Sequence, residues 1–306
     1  MPATSEWLDA AATAARLPYP ALLQALREVL RDPSVQVPAR SVQALPGGAS
    51  LFLMPAFDAR LAIAKLITYT PANAGTGRPA IQGDVVVFDI ATGERRLVLD
   101  GPTVTARRTA AVSALAARTL AAVPEGPLLI VGAGAQGRSH LEAFADTLPL
   151  REVRIASRGA EGAQALAALA RERGLRADVV SDPDAQLAHC PLVVTATPAD
   201  AVVLSSRARG DAFIAAVGAF TPRMRELSAD LCQQCAEGGG VWLDSEDARH
   251  EAGDLMQAGL PLEDFPTLAA LLEGTARPRG SGPVLFKSCG WGGWDLAAAR
   301  AAVVQA

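Results

Sequence analysis

Cysteine and histidine are scarce in this chain, four and three in 306 residues. Cys190, Cys232, Cys235 and Cys289 are too few and too scattered for a disulfide framework, which points to a reducing, cytoplasmic setting. Cys232 and Cys235 have the spacing of half a zinc site, but no second Cys/His pair matches it. They read instead as two small side chains on a helix beginning near Ser228, and no metal is expected. No run approaches the ~18 apolar residues that span a bilayer. The first twenty residues lack the basic head and unbroken apolar core of a signal peptide. A surplus of charge is missing too: 28 Lys and Arg against 32 Asp and Glu leave a net charge of −4, which argues against broad adhesion to nucleic acid or an anionic membrane. Nor does a nucleophile–base pair stand out. A small molecule is the partner that remains.

What is present suits two domains, since the length is about twice the roughly 150 residues of a typical one. "LDAAATAARL" (8–17) and "PALLQALREVLR" (20–31) carry apolar residues at helical intervals. The period then shortens: "SLFLMPAF", "RLAIAKLITYT" and "GDVVVFDIATGERRLVLDG" are rich in branched and aromatic residues, the last with a Thr92-Gly93 turn, and predict an antiparallel or mixed sheet. "RTAAVSALAARTLAA" (108–122) predicts a helix. Beyond it "PLLIV", "EVRIAS", "ADVVS", "PLVVTAT", "DAFIAAVG" and "GVWLD" alternate with helical stretches, the pattern of a doubly wound parallel sheet. A final strand, turn and helix, "VLFKSCGWGGWDLAAARAAVVQA", can rejoin the N-terminal part. The expected class is α/β, a Rossmann-type doubly wound parallel sheet domain inserted into an α+β domain, with boundaries at 1–113 plus 285–306 and 114–284.

Gly132-Ala133-Gly134-Ala135-Gln136-Gly137 directly follows a buried strand and opens a helix, the context that gives G-x-G-x-x-G its meaning. The first glycine makes the tight turn, the second admits a pyrophosphate to the backbone, and the third lets helix and strand close up. Free N–H groups and the positive end of the helix dipole then face the anion. An NAD site places an acidic residue at the end of the second strand, about twenty residues on. Here Ser157 and Arg158 stand in that place, which favours a 2′-phosphate and hence NADPH, with NADH a weaker possibility. The strand ends at Thr197, Val217 and Gly218 complete the candidate cofactor contacts. His140, within the same motif, reads as a packing or hydrogen-bonding residue.

Six stretches in order, "FLMPAF" (52–57), "AKLITYTPAN" (64–73), "TARRTAAVSALAARTLA" (105–121), "GAGAQGRSHLEA" (132–143), "EAGDL" (251–255) and "FKSCGWGGWDLAAAR" (286–300), carry a resemblance over most of the chain. The chain resembles the ornithine cyclodeaminase and mu-crystallin family, and within it the bacterial 1-pyrroline-2-carboxylate (ketimine) reductases. The resemblance implies a substrate-binding and dimerisation domain, a homodimer formed through its sheet, and a substrate pocket that includes Lys65, Arg108 and Arg40. An anionic imino acid would need such a planar cation for its carboxylate. Capping or pairing at the start of a helix is the other reading of Arg108, and the loop match at Arg40 is loose. Cyclodeaminases of the family place an aspartate where "AVGAFTPRMREL" (216–227) has Phe220, here a candidate pocket wall. A phenyl ring cannot pair with a distal ammonium, so the substrate expected is a small cyclic imino acid. Reduction of 1-pyrroline-2-carboxylate to L-proline and of 1-piperideine-2-carboxylate to L-pipecolate follows, in proline metabolism. Ornithine cyclodeaminase, a non-catalytic NADPH-binding crystallin and an alanine-dehydrogenase-like reductive aminase stay open as alternatives.

Overall fold

The computed structural model describes residues 6–73, 76–198, 201–278 and 280–304. The ends of the expected terminal segments, 1–5 and 305–306, lie outside them. The chain divides into two compact units, one of residues up to Arg108 together with those from Trp291 on, the other Thr109–Gly290.

In the first unit β1 (Glu6–Leu8) leads into α1 (Ala10–Arg16) and α2 (Tyr19–Arg31). The Asp9 carboxylate accepts from the Ala12 N–H at 2.8 Å and starts α1. Tyr19, Leu22, Leu23, Leu26 and Val29 form the buried stripe of α2. Then come β2 (Ser41–Ala44), β3 (Ser50–Phe57), β4 (Leu61–Tyr69), β5 (Ile81–Asp89) and β6 (Arg95–Asp100). They make a six-stranded sheet in the order β1-β6-β5-β4-β3-β2, antiparallel except for β1 on β6. Strand alternation buries Leu61, Ile63, Lys65 and Ile67 of β4 on one face.

The second unit takes up most of α3 (Gly101–Leu120), then β7 (Leu128–Val131), α4 (Ala135–Thr147), β8 (Glu152–Ala156), α5 (Ala160–Glu172) and β9 (Arg176–Val179). It continues with β10 (Leu192–Thr195), β11 (Phe213–Ala216), α6 (Ala229–Glu237), β12 (Gly240–Leu243), the short α7 (Gly253–Gln257) and α8 (Leu268–Leu272), and β13 (Val284–Lys287). All seven strands run parallel in the order β12-β13-β11-β10-β7-β8-β9. β7, β10, β11, β12 and β13 are buried throughout, as strands covered on both faces must be. The strand order reverses at β7 and β10, the switch point where open α/β sheets take their ligands. The chain returns to the first unit as α9 (Gly292–Val304), buried from Gly292 to Ala302 and packed against α2, β3 and β4.

Three expectations change. The boundaries expected at 113/114 and 284/285 fall at 108/109 and 290/291. β13 belongs to the parallel sheet, where it pairs with both β11 and β12. Helix α3 begins at Gly101 rather than near Arg108, because the Asp100 carboxylate accepts from the Thr103 N–H at 2.8 Å and caps it. Arg108 therefore lies inside the helix and caps nothing. All four cysteines are free and buried. Burial pushes the Cys190 and Cys232 thiols up to about 11 and about 12. Cys232 and Cys235 lie on α6, which Ser228 caps by accepting from the Leu231 N–H. Among the described residues no three His, Cys, Asp or Glu side chains gather as a metal site, and no helix is long and apolar enough to cross a membrane.

Candidate active site

A lysine on the buried face of a strand needs a counter-charge. Lys65 finds it 2.7 Å away in Asp295, on the first turn of α9. The other oxygen of the same carboxylate accepts from Arg108 Nε at 3.1 Å. Two buried cations thus share one buried anion, and the three groups carry one net positive charge. Burial lowers the Lys65 pKa to about 8; Asp295 pulls it up, while Arg108 and then Arg40 push it down. Arg40, half-buried just before β2, is therefore within electrostatic reach of the cluster.

Arg108 Nη1 is buried without a hydrogen-bond partner, and so is Thr105 Oγ1 one turn earlier on the same helix face. Such orphaned groups cost free energy unless a ligand satisfies them. Arg107 turns elsewhere: its guanidinium stacks 4.0 Å over Tyr19 and Nε donates to the Leu17 carbonyl at 2.9 Å. The adjacent arginines of "RR" have separate tasks. Asp295 was not among the expected site residues, although it lies in the quoted "GGWDL". Its signal is a carboxylate in a helix whose only other charged residue is Arg300, five positions on.

In the second unit, Gly132 to Gln136 turn from β7 into α4. Gly132 has φ of +108°, and a Cβ on Gly137 would lie 1.9 Å from the Gly132 carbonyl oxygen, so neither position accepts a side chain. Gly134 faces open space, and no side chain caps the helix it precedes. Gln136 Oε1 is buried without a partner. Ser157 and Arg158, both exposed, follow β8, whose last residue Ala156 pairs with Val131 beside the turn. An uncapped helix end behind a glycine turn that opens at Gly134 fits the pyrophosphate of a dinucleotide. His140 is held by two bonds, Nδ1 donating to the Gln136 carbonyl at 2.8 Å and Nε2 accepting from Ser113 Oγ at 3.0 Å. Burial lowers its pKa to about 4, so it is neutral at neutral pH and joins α4 to α3.

Thr197, Val217 and Gly218 lie just past the ends of β10 and β11. Glu226, fully buried and absent from the expected set, accepts from the backbone N–H groups of Thr197 and Gly218, each at 2.7 Å. Phe220, the expected pocket wall, is half-buried and packs against the apolar core of this unit.

The model of the ornithine cyclodeaminase/mu-crystallin family matches residues 16–305. The chain belongs to that family. Its relatives in the family include Delta(1)-pyrroline-2-carboxylate reductase 1 of Burkholderia multivorans, 41% identical over 96% of this chain and 94% of that protein. Delta(1)-pyrroline-2-carboxylate/Delta(1)-piperideine-2-carboxylate reductase of Azospirillum brasilense is 39% identical over 96% and 94%. Among solved structures, Thermococcus litoralis Delta(1)-pyrroline-2-carboxylate reductase in complex with NADH and L-proline shares the fold, with a TM-score of 0.84, 21% identity, and 97% and 93% of the two chains covered.

Proposed function

We propose that this family member reduces cyclic ketimine carboxylates, 1-pyrroline-2-carboxylate to L-proline and 1-piperideine-2-carboxylate to L-pipecolate, with NADPH preferred over NADH. The observation that carries the reading is the Lys65–Asp295–Arg108 cluster, whose net positive charge and unpaired Arg108 Nη1 suit a small carboxylate. Near-full-length identity of about two residues in five to reductases named for these imines supports it. The nicotinamide supplies the hydride when bound.

Arg108 holds the substrate carboxylate, assisted by Thr105 and Arg40. Lys65, protonated below about pH 8, supplies the proton that the imine nitrogen needs as it becomes an amine. Gly132, Ala133, Gly134, Ala135 and Gln136 cradle the pyrophosphate, and Ser157 and Arg158 receive the 2′-phosphate. Position 220 contributes through what it lacks, a carboxylate for a distal amine, and that disfavours ornithine cyclisation. Two copies pair through the outer face of the six-stranded sheet.

The test is purified protein with NADPH and each imine. Imine-dependent oxidation of NADPH, faster than that of NADH, is expected. Ammonia release from L-ornithine without net cofactor change would make the protein a cyclodeaminase, and cofactor binding without turnover of any imine would make it a binding protein.

A further inference from the structure

Glu226 sits between the ends of two parallel strands and ties them together. Oε1 accepts from Thr197 N–H at 2.7 Å and Thr197 Oγ1 at 2.8 Å. Oε2 accepts from Gly218 N–H at 2.7 Å, Ala219 N–H at 3.2 Å and Thr195 Oγ1 at 3.1 Å. Gly218 lets the loops meet, since a Cβ there would stand 2.1 Å from the Thr197 carbonyl oxygen. The clamp is itself anchored. Asp254 Oδ1 accepts from the Glu226 and Leu227 N–H groups at 2.6 and 2.9 Å, and Oδ2 accepts from Lys287 Nζ at 2.6 Å. Lys287 ends β13, so one buried chain of charges joins the carboxyl ends of β10, β11 and β13.

A buried carboxylate is costly, and an apolar side chain of similar volume would serve packing alone as well. What Glu226 adds is a fixed backbone geometry at residues 195–197 and 217–219. Ligands of an open α/β sheet lie outside the carboxyl strand ends, spread across the switch point. With the pyrophosphate at the β7 turn and the adenosine end towards β8, the other half of a dinucleotide falls over β10 and β11.

We infer that Glu226 is a positioning residue for the nicotinamide half of the cofactor: it shapes the loops that hold the ring without touching it. The inference rests on the dinucleotide reading above. In Glu226→Gln the amide places a donor against backbone donors, which frees the loops.

The experiment is calorimetric titration of wild type and variant with NADPH and with adenosine 2′,5′-bisphosphate, which lacks the nicotinamide half. Glu226→Gln is expected to weaken NADPH by about tenfold, the scale of one buried hydrogen bond left unmade, and to leave the bisphosphate within about twofold. Should that variant fail to fold, Thr195→Val removes a single bond to Oε2 and is expected to weaken NADPH about threefold with the same selectivity. Equal weakening of both ligands, or of neither, overturns the inference. A wild-type protein that binds neither ligand overturns the dinucleotide reading itself, a separate result.

Discussion

Asp295 is the residue on which two buried cations depend, and its removal separates their roles. In Asp295→Asn the Lys65 ammonium loses the attraction that opposes burial and the neighbouring arginines, so its pKa drops below about 8. In the wild type, imine reduction that draws its proton from Lys65 falls as pH rises through about 8, and the reverse oxidation of L-proline rises over the same range. In Asp295→Asn that alkaline fall is expected at lower pH, measured as the pH dependence of kcat. The variant also loses about 3–5 kcal/mol of stability, the scale for breaking a buried ion pair, which thermal unfolding would show. The sign for the wild type follows from linkage. Lys65 holds its proton less tightly folded than unfolded, so its burial costs stability at neutral pH, and the cost is relieved as pH rises from about 8 towards 10.5. An unshifted alkaline limb in Asp295→Asn would remove Lys65 from the proton transfer.

At the scale of elements, the proposed preference for NADPH rests on the end of β8. Arg158→Ala is expected to weaken NADPH by about 1.5–3 kcal/mol, the range for a charge-assisted bond, and NADH far less. Equal losses in fluorescence titrations of both cofactors would place Arg158 away from the 2′-phosphate. The glycine turn was legible because strand, turn and helix follow one another between Leu128 and Thr147, each with a local signature. The strands of the first sheet were legible through their alternation, and Lys65 and Arg108 through the motifs that contain them. The beginning of α3 was not, because "LVLDGPT" reads as strand and turn until Asp100 is recognised as a cap. β2 escaped because every residue in it is exposed, and β1 because three residues show no period. Asp295 and Glu226 escaped for a different reason. The bond from Arg108 to Asp295 spans 187 positions and that from Thr197 to Glu226 spans 29, and no pattern of neighbours encodes such pairs.

For the whole molecule, the six-stranded sheet has one face towards the core and one towards solvent. On the outer face Leu53 stands directly opposite Leu66, both more than two-fifths exposed, and Phe88 stands opposite Ala62 on the same side. In the proposed homodimer these apolar side chains would meet the same face of a second copy. Sedimentation at micromolar concentration is expected to give about twice 31.6 kDa for the wild type. Leu53→Lys combined with Leu66→Lys is expected to give the monomer mass, with the fold retained, since both positions face outward. A monomeric wild type would contradict the homodimer. The return of the last sixteen residues to the first unit also imposes an order in time. Synthesis runs from the N-terminus, so Lys65 and Arg108 emerge from the ribosome long before Asp295, and the second unit is complete in sequence before α9 exists. Until then the nascent first unit has two cations destined for burial and no carboxylate to bury with them. Of the two units, the one begun first is therefore the one finished last.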